Sequence, residues 1–91
     1  MQKRYNVIVS GRVQGVSFRW FVARTAERLG VKGWVRNNYD GSVESVVEGE
    51  ESSVMQFIAE IRRGPSSAMV TDLEISEETP KSEFDSFNIV H

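Results

Sequence analysis

Hydrophobic and polar residues follow two different periods along this chain, and the changes of period predict its elements. Tyr5, Val7 and Val9 occupy alternate positions, as on a strand, whereas apolar residues after position 17 recur every three or four positions, as on one helix face. The complete pattern predicts strands at 5–10, 31–38, 42–48, 69–75 and 84–90, and helices between Ser17 and Gly30 and between Ser53 and Gly64.

Local signals at the ends of these elements support the assignment. Ser17 is a candidate N-cap, and Gly30 is suited to the residue that follows a helix. Asp40-Gly41 indicates a hairpin, and Ser53 with Gln56 fits a capping box at the second helix. The order strand, helix, strand, strand, helix, strand, with a short terminal strand, predicts an α+β fold. We expect a split βαβ arrangement, with an antiparallel sheet that carries both helices on one face.

Length and composition limit the possible functions. A chain of 91 residues with 40% hydrophobic content predicts one domain over 1–91. Its formal net charge of −2 argues against broad nucleic-acid binding but permits one focused basic pocket. There is no cysteine, and the one histidine is the last residue, so cysteine and histidine triads are excluded. No apolar run matches a signal peptide or membrane span, and we therefore expect a cytoplasmic protein without a membrane partner.

The segment Gly11–Arg19, which reads Gly-Arg-Val-Gln-Gly-Val-Ser-Phe-Arg, joins the first predicted strand to the first helix. At such a junction backbone N–H groups and the positive end of the helix dipole converge, and Arg19 adds a planar cation. These features favour a phosphoryl group as ligand. Because no strong base, nucleophile or ligand-spaced metal cluster accompanies them, hydrolysis would need a substrate with a good leaving group. A carboxylate, whose conjugate acid titrates near ~4, is such a group.

Asn37, at the end of the second predicted strand, is the second candidate. Its carboxamide offers one acceptor and two donors, which suffice to hold a water and face an oxyanion. Asn37 shares a strand face with Val35, so it lies near the start of the first helix if the helices cover that face. Taken alone, it is explained more simply as a polar residue that enters a hairpin.

Gly11–Arg19 followed by Gly33-Trp34-Val35-Arg36-Asn37 closely resembles the acylphosphatase family, and the resemblance covers the whole chain. It implies a ferredoxin-like α/β sandwich that hydrolyses the carboxyl–phosphate bond of acyl phosphates, without a metal or cofactor. By match to the family, Arg19 binds the phosphoryl group and Asn37 orients the attacking water. The same match assigns phosphate binding to the loop residues Val13, Gln14, Gly15, Val16, Ser17 and Phe18. We expect a monomer for which inorganic phosphate is both product and inhibitor.

Other functions stay open from the element order alone. A non-enzymatic anion-binding or regulatory module could use the same fold. An RNA-binding module is disfavoured, because the third predicted strand lacks the aromatic side chains that stack on bases. Outside the two motifs, we expect Trp20 to be partly exposed without an assigned role and His91 to be solvated. We also expect Glu48–Glu51 to form a solvated acidic loop.

Overall fold

The computed structural model describes residues 1–15 and 17–91 and confirms the predicted fold and order of elements. Val16, assigned above to the phosphate-binding loop, lies outside the described residues. The elements are β1 (Gln2–Arg12), α1 (Phe18–Leu29), β2 (Lys32–Asn37), β3 (Val43–Glu50), α2 (Glu51–Arg63), β4 (Met69–Glu78) and β5 (Phe87–Ile89). Within the described residues, neither helix is long and apolar enough to cross a membrane.

The five strands form one sheet in the order β4-β1-β3-β2-β5. The four longer strands pair antiparallel, as predicted, whereas β5 pairs in parallel with the outer edge of β2. The sheet is therefore mixed. Because β2 and β5 run in the same direction, the last residues of the chain lie at the same end of the sheet as Asn37.

One hydrophobic core lies between the sheet and the two helices. Its strand residues alternate with outward-facing ones, and its helix residues recur at three- and four-residue spacing, as the two periods in the sequence require. Its completely buried members include Val7, Val9, Val35, Val43 and Val47 on the strands, and Val22, Ala26, Val54, Phe57 and Ile61 on the helices. The core holds the start of α1 against the end of β2.

The start of α2 differs from the predicted capping box. The helix begins at Glu51 rather than after Ser53, and no side chain caps it. The Glu51 amide instead donates to the Met1 carbonyl at 2.9 Å, and the Gln56 side chain bonds Glu60 within the helix. A backbone carbonyl distant in sequence therefore supplies the partner that a capping side chain would supply.

The prediction of a solvated acidic loop at 48–51 is wrong for Glu48, which is buried in β3, whereas Glu50 and Glu51 are exposed where β3 runs directly into α2. Its carboxylate accepts hydrogen bonds from the Arg4 guanidinium at 3.3 Å and from the amides of Lys81 and Ser82 at 3.3 and 2.7 Å. Burial alone raises the pKa of the Glu48 carboxyl, but these donors outweigh it and hold the pKa below its ordinary value. Glu48 thus fastens the connection before β5 to the sheet.

Candidate active site

The loop between β1 and α1 is anchored at both ends by core side chains. Val13 and Phe18 are each 1% exposed, and Phe18 packs against Phe21 with ring centroids 5.9 Å apart. Between them, Gly15 (φ 74°) and Ser17 (φ 60°) adopt left-handed backbone conformations. This conformation costs a non-glycine residue about 1–2 kcal/mol. Strain at Ser17 that the surrounding structure maintains is typical of a ligand-binding loop.

The amides at the start of helix α1 lie next to this loop. The Phe21 amide donates to the Ser17 carbonyl at 3.0 Å, whereas the amides of Phe18 and Arg19 have no partner among the described residues. Ser17 occupies the N-cap position, as predicted, but its side chain makes no capping hydrogen bond. The positive end of the helix dipole therefore carries N–H donors that could bind an anion.

The Gln14 side chain fastens the loop to the β2–β3 hairpin. Its Nε2 donates to the Asn38 carbonyl at 2.8 Å and to the Ser42 carbonyl at 2.9 Å. Sequence matching assigned Gln14 to the phosphate-binding loop, and the structure shows that its carboxamide donors bind the hairpin. Because Asn38 follows Asn37 directly, this link sets the position of the loop relative to the end of β2.

A cavity of about 540 Å³ opens between the loop, the first turn of α1, the end of β2 and the C-terminus. It is lined by Val13, Gly15, Ser17, Phe18, Arg19, Trp20, Asn37, Ile89 and His91. Arg19 and Asn37 therefore face one space although they lie on different elements. Val35 is completely buried on the helix-covered face, which places Asn37 at its rim as predicted. No hydrogen bond occupies the Asn37 side chain within residues 1–15 and 17–91.

His91 is a cavity residue that the sequence analysis missed. Its Nδ1 lies 3.3 Å from Nη1 of Arg19, and because a guanidinium only donates, Nδ1 accepts in this contact. The parallel pairing of β5 with β2, together with a hydrogen bond from the Val90 amide to the Val35 carbonyl at 2.9 Å, carries His91 to this position. His91 is exposed, as expected, but its contact with Arg19 was not predicted because no local sequence pattern reports this long-range pairing.

Comparison with known proteins adds the decisive observation, since the family model described as Acylphosphatase matches residues 5–89. The chain belongs to the acylphosphatase family. It is 50% identical to an acylphosphatase of Moorella thermoacetica over 80 aligned residues. The aligned residues make up 88% of this chain and 86% of the relative. The crystal structure of acylphosphatase from Bacillus subtilis superposes with a TM-score of 0.94 at 38% identity and covers both chains completely. In the crystal structure of full-length HypF, a segment of 12% of that protein superposes on all of this chain with a TM-score of 0.90 and 34% identity.

Membership of this family confirms the predicted activity and enzyme class. The chain is a hydrolase of acyl phosphates, and orthophosphate is its product. A non-enzymatic anion-binding module is not favoured. The individual roles of Arg19, Asn37 and the loop residues stay predictions, and the geometry described above is the basis for the proposal that follows.

Proposed function

We propose that the chain hydrolyses acyl phosphates at the cavity shared by Arg19, the loop Val13–Phe18 and Asn37. Arg19 and the loop amides bind the phosphoryl group, and Asn37 positions the attacking water. The observation that carries this proposal is one cavity lined by a cation (Arg19), the start of α1 and a carboxamide (Asn37), the last two without hydrogen-bond partners among the described residues. Each of these groups suits a different part of the reaction.

The binding half of the site is electrostatic. The planar guanidinium of Arg19 can donate two parallel hydrogen bonds to phosphoryl oxygens, and the amides at the start of α1 donate to the remaining oxygen. In phosphoryl transfer, negative charge is spread over these equatorial oxygens in the transition state, so donors that are already in place lower its free energy. Anchoring of Val13 and Phe18 in the core keeps the donors in place before substrate arrives.

The reacting half needs a water in line with the leaving group. The Asn37 carbonyl oxygen accepts a hydrogen bond from the water, while its amide group can donate to a phosphoryl oxygen. The water oxygen forms a bond to phosphorus as the bond to the acyl oxygen breaks, and the carboxylate departs with the electron pair. The proton of the water passes to orthophosphate or solvent. A carboxylate leaves without a general acid, because its conjugate acid titrates near ~4.

The same geometry bears on assembly. Arg19 and Asn37, which serve the two halves of the proposed reaction, face one cavity within a single copy of the chain, so the reaction as proposed needs no residue from a second copy. We therefore expect a monomeric enzyme, and on the sequence alone we expect it to act in the cytoplasm. Size-exclusion chromatography with light scattering tests the first expectation: the mass should match the 10.3 kDa chain rather than a multiple of it.

The test of this function is steady-state hydrolysis of acetyl phosphate, with orthophosphate release as the readout and a chelator in the buffer. The wild-type chain should turn over the substrate and be inhibited competitively by inorganic phosphate. Arg19→Gln should nearly abolish binding and turnover, whereas Arg63→Gln, an exposed arginine at the end of α2, should match the wild type. Near-wild-type activity in Arg19→Gln would contradict the proposal.

A further inference from the structure

Trp20 is an exposed tryptophan between two neighbouring concave surfaces. It follows Arg19 on α1, is 57% exposed and lines the active-site cavity. Trp20 also lines a second groove, of about 350 Å³. Ala23 and Glu27 of α1 line this groove with Trp20, and Phe87 of β5 lines it as well. Trp20 is therefore part of the lining of both the active-site cavity and the groove.

The exposure of this ring requires an explanation. An indole offers a large apolar area, and its burial contributes to stability, so tryptophan is highly buried on average. Here the Arg24 guanidinium lies over the ring, 4.9 Å from its centroid. This cation–π contact restrains the orientation of the indole and leaves more than half of the residue open to solvent. The ring is therefore held as an apolar wall beside the phosphoryl site.

Trp20 follows Arg19 directly and lines the same cavity, so its indole is within reach of the acyl part of a substrate bound at Arg19. When Arg19 and the loop amides hold the phosphoryl group, the acyl group has to lie against another part of the lining, and Trp20 is the residue through which that lining continues into the groove. Resting on the proposed function, we infer that Trp20 and the groove behind it bind the acyl group and favour aromatic acyl phosphates. Aromatic rings pack against an indole at offset or edge-to-face geometry, which a methyl group does not reproduce.

The charges along the groove support a neutral occupant. Its lining contains the cations Arg24 and Lys32 and the acids Glu27 and Asp85, so the formal charges balance. A groove of this kind offers no net attraction to an acyl group that carries a second charge. An uncharged aromatic acyl group, such as benzoyl, matches both the aromatic wall and this balance.

The test compares kcat/KM for benzoyl phosphate and acetyl phosphate in one preparation. The ratio of the two values should fall at least threefold, and up to roughly tenfold, in Trp20→Ala, as expected for loss of one aromatic contact. Trp20→Phe should retain most of the ratio. Met55→Ala removes another exposed apolar side chain, from α2, and should leave the ratio unchanged. A decrease of less than threefold in Trp20→Ala overturns the inference.

A binding measurement gives a second readout that does not depend on folding of Trp20→Ala. In Trp34→Phe, Trp20 is the one remaining tryptophan, and its emission should shift when benzylphosphonate binds but not when methylphosphonate binds. Equal responses to the two probes overturn the acyl site. Failure of the wild type to release orthophosphate from either acyl phosphate would contradict the proposed function instead, so the two failures are distinguishable.

Discussion

Gln14→Met tests whether the hydrogen bonds from Gln14 to the β2–β3 hairpin fix the position of the phosphate-binding loop relative to Asn37. Methionine has a similar length and shape but donates no hydrogen bond, so the substitution removes the contacts to the carbonyls of Asn38 and Ser42 at 2.8 and 2.9 Å. The loop that carries the amide donors then loses its direct link to the strand end that carries Asn37. We expect a loss of both stability and turnover.

The expected loss of unfolding free energy depends on whether the two carbonyls keep another hydrogen-bond donor in Gln14→Met. The Asn38 carbonyl keeps the Gly41 amide at 3.2 Å, and the Ser42 carbonyl keeps the Asn38 amide at 2.9 Å. Because neither carbonyl is left without a donor, the cost is that of two neutral hydrogen bonds, about 2 kcal/mol in total. For a domain of this size, that corresponds to a decrease in Tm of roughly 8–16 °C.

Thermal unfolding and steady-state kinetics of the same protein measure the two effects. Gln56→Met is the matched control, because Gln56 is exposed on α2 and makes one long hydrogen bond to Glu60 at 3.4 Å. We expect its Tm to match the wild type, and kcat of Gln14→Met to fall by roughly tenfold or more through misplacement of the donors. Equal Tm values for both variants would refute the energetic reasoning, and an unchanged kcat in a destabilised Gln14→Met would refute the link to register.

Two further predictions concern the framework of the site. Gly33→Ala should prevent stable folding, because at φ 142° a Cβ would lie 1.8 Å from the Val46 carbonyl oxygen. Gly49→Ala is the control, since its Cβ would meet the Val31 side chain instead of backbone. Thermal unfolding of both variants should show a smaller decrease in Tm for Gly49→Ala. Glu48→Gln should lower the free energy of unfolding at pH 7. Because the pKa of Glu48 is lowered in the folded protein, its carboxylate stabilises the fold at pH values above the ordinary pKa of 4.5. This stabilisation is lost as the pH falls through the lowered pKa of the folded protein. Urea titrations should therefore show that the difference in unfolding free energy between wild type and Glu48→Gln narrows toward pH 3. A difference that is independent of pH would contradict this account.

Hydrophobic period predicts much of this fold because it reports which side of an element is buried. It placed α1 and the four antiparallel strands, and it placed Asn37 on the same strand face as the buried Val35. It could not report partners distant in sequence. Glu48 resembled part of an acidic surface segment because Arg4, Lys81 and Ser82, which bury it, are far away along the chain.

The same limit applies to the candidate site. The loop motif predicted a loop that leads directly into α1 with Arg19 in the first turn, because both features depend on local structure. The motif could not show that the Gln14 side chain binds carbonyls 24 and 28 residues later. Nor could it show that His91 contacts Arg19 across 72 residues, because the direction of β5 decides where the chain ends. Long-range pairing, rather than local pattern, completes the cavity.

In the proposed mechanism, Arg19 and the loop bind the phosphoryl group, whereas Asn37 positions the attacking water. The most direct test measures kcat for acetyl phosphate and the inhibition constant for inorganic phosphate in Asn37→Ala. Asn88→Ala serves as control, because Asn88 lies on β5 next to Ile89 and its side chain bonds Ser86. We expect kcat of Asn37→Ala to fall roughly 100-fold or more, while the inhibition constant for phosphate stays within about threefold of the wild-type value. A near-wild-type kcat, or a parallel loss of phosphate binding, would contradict this mechanism.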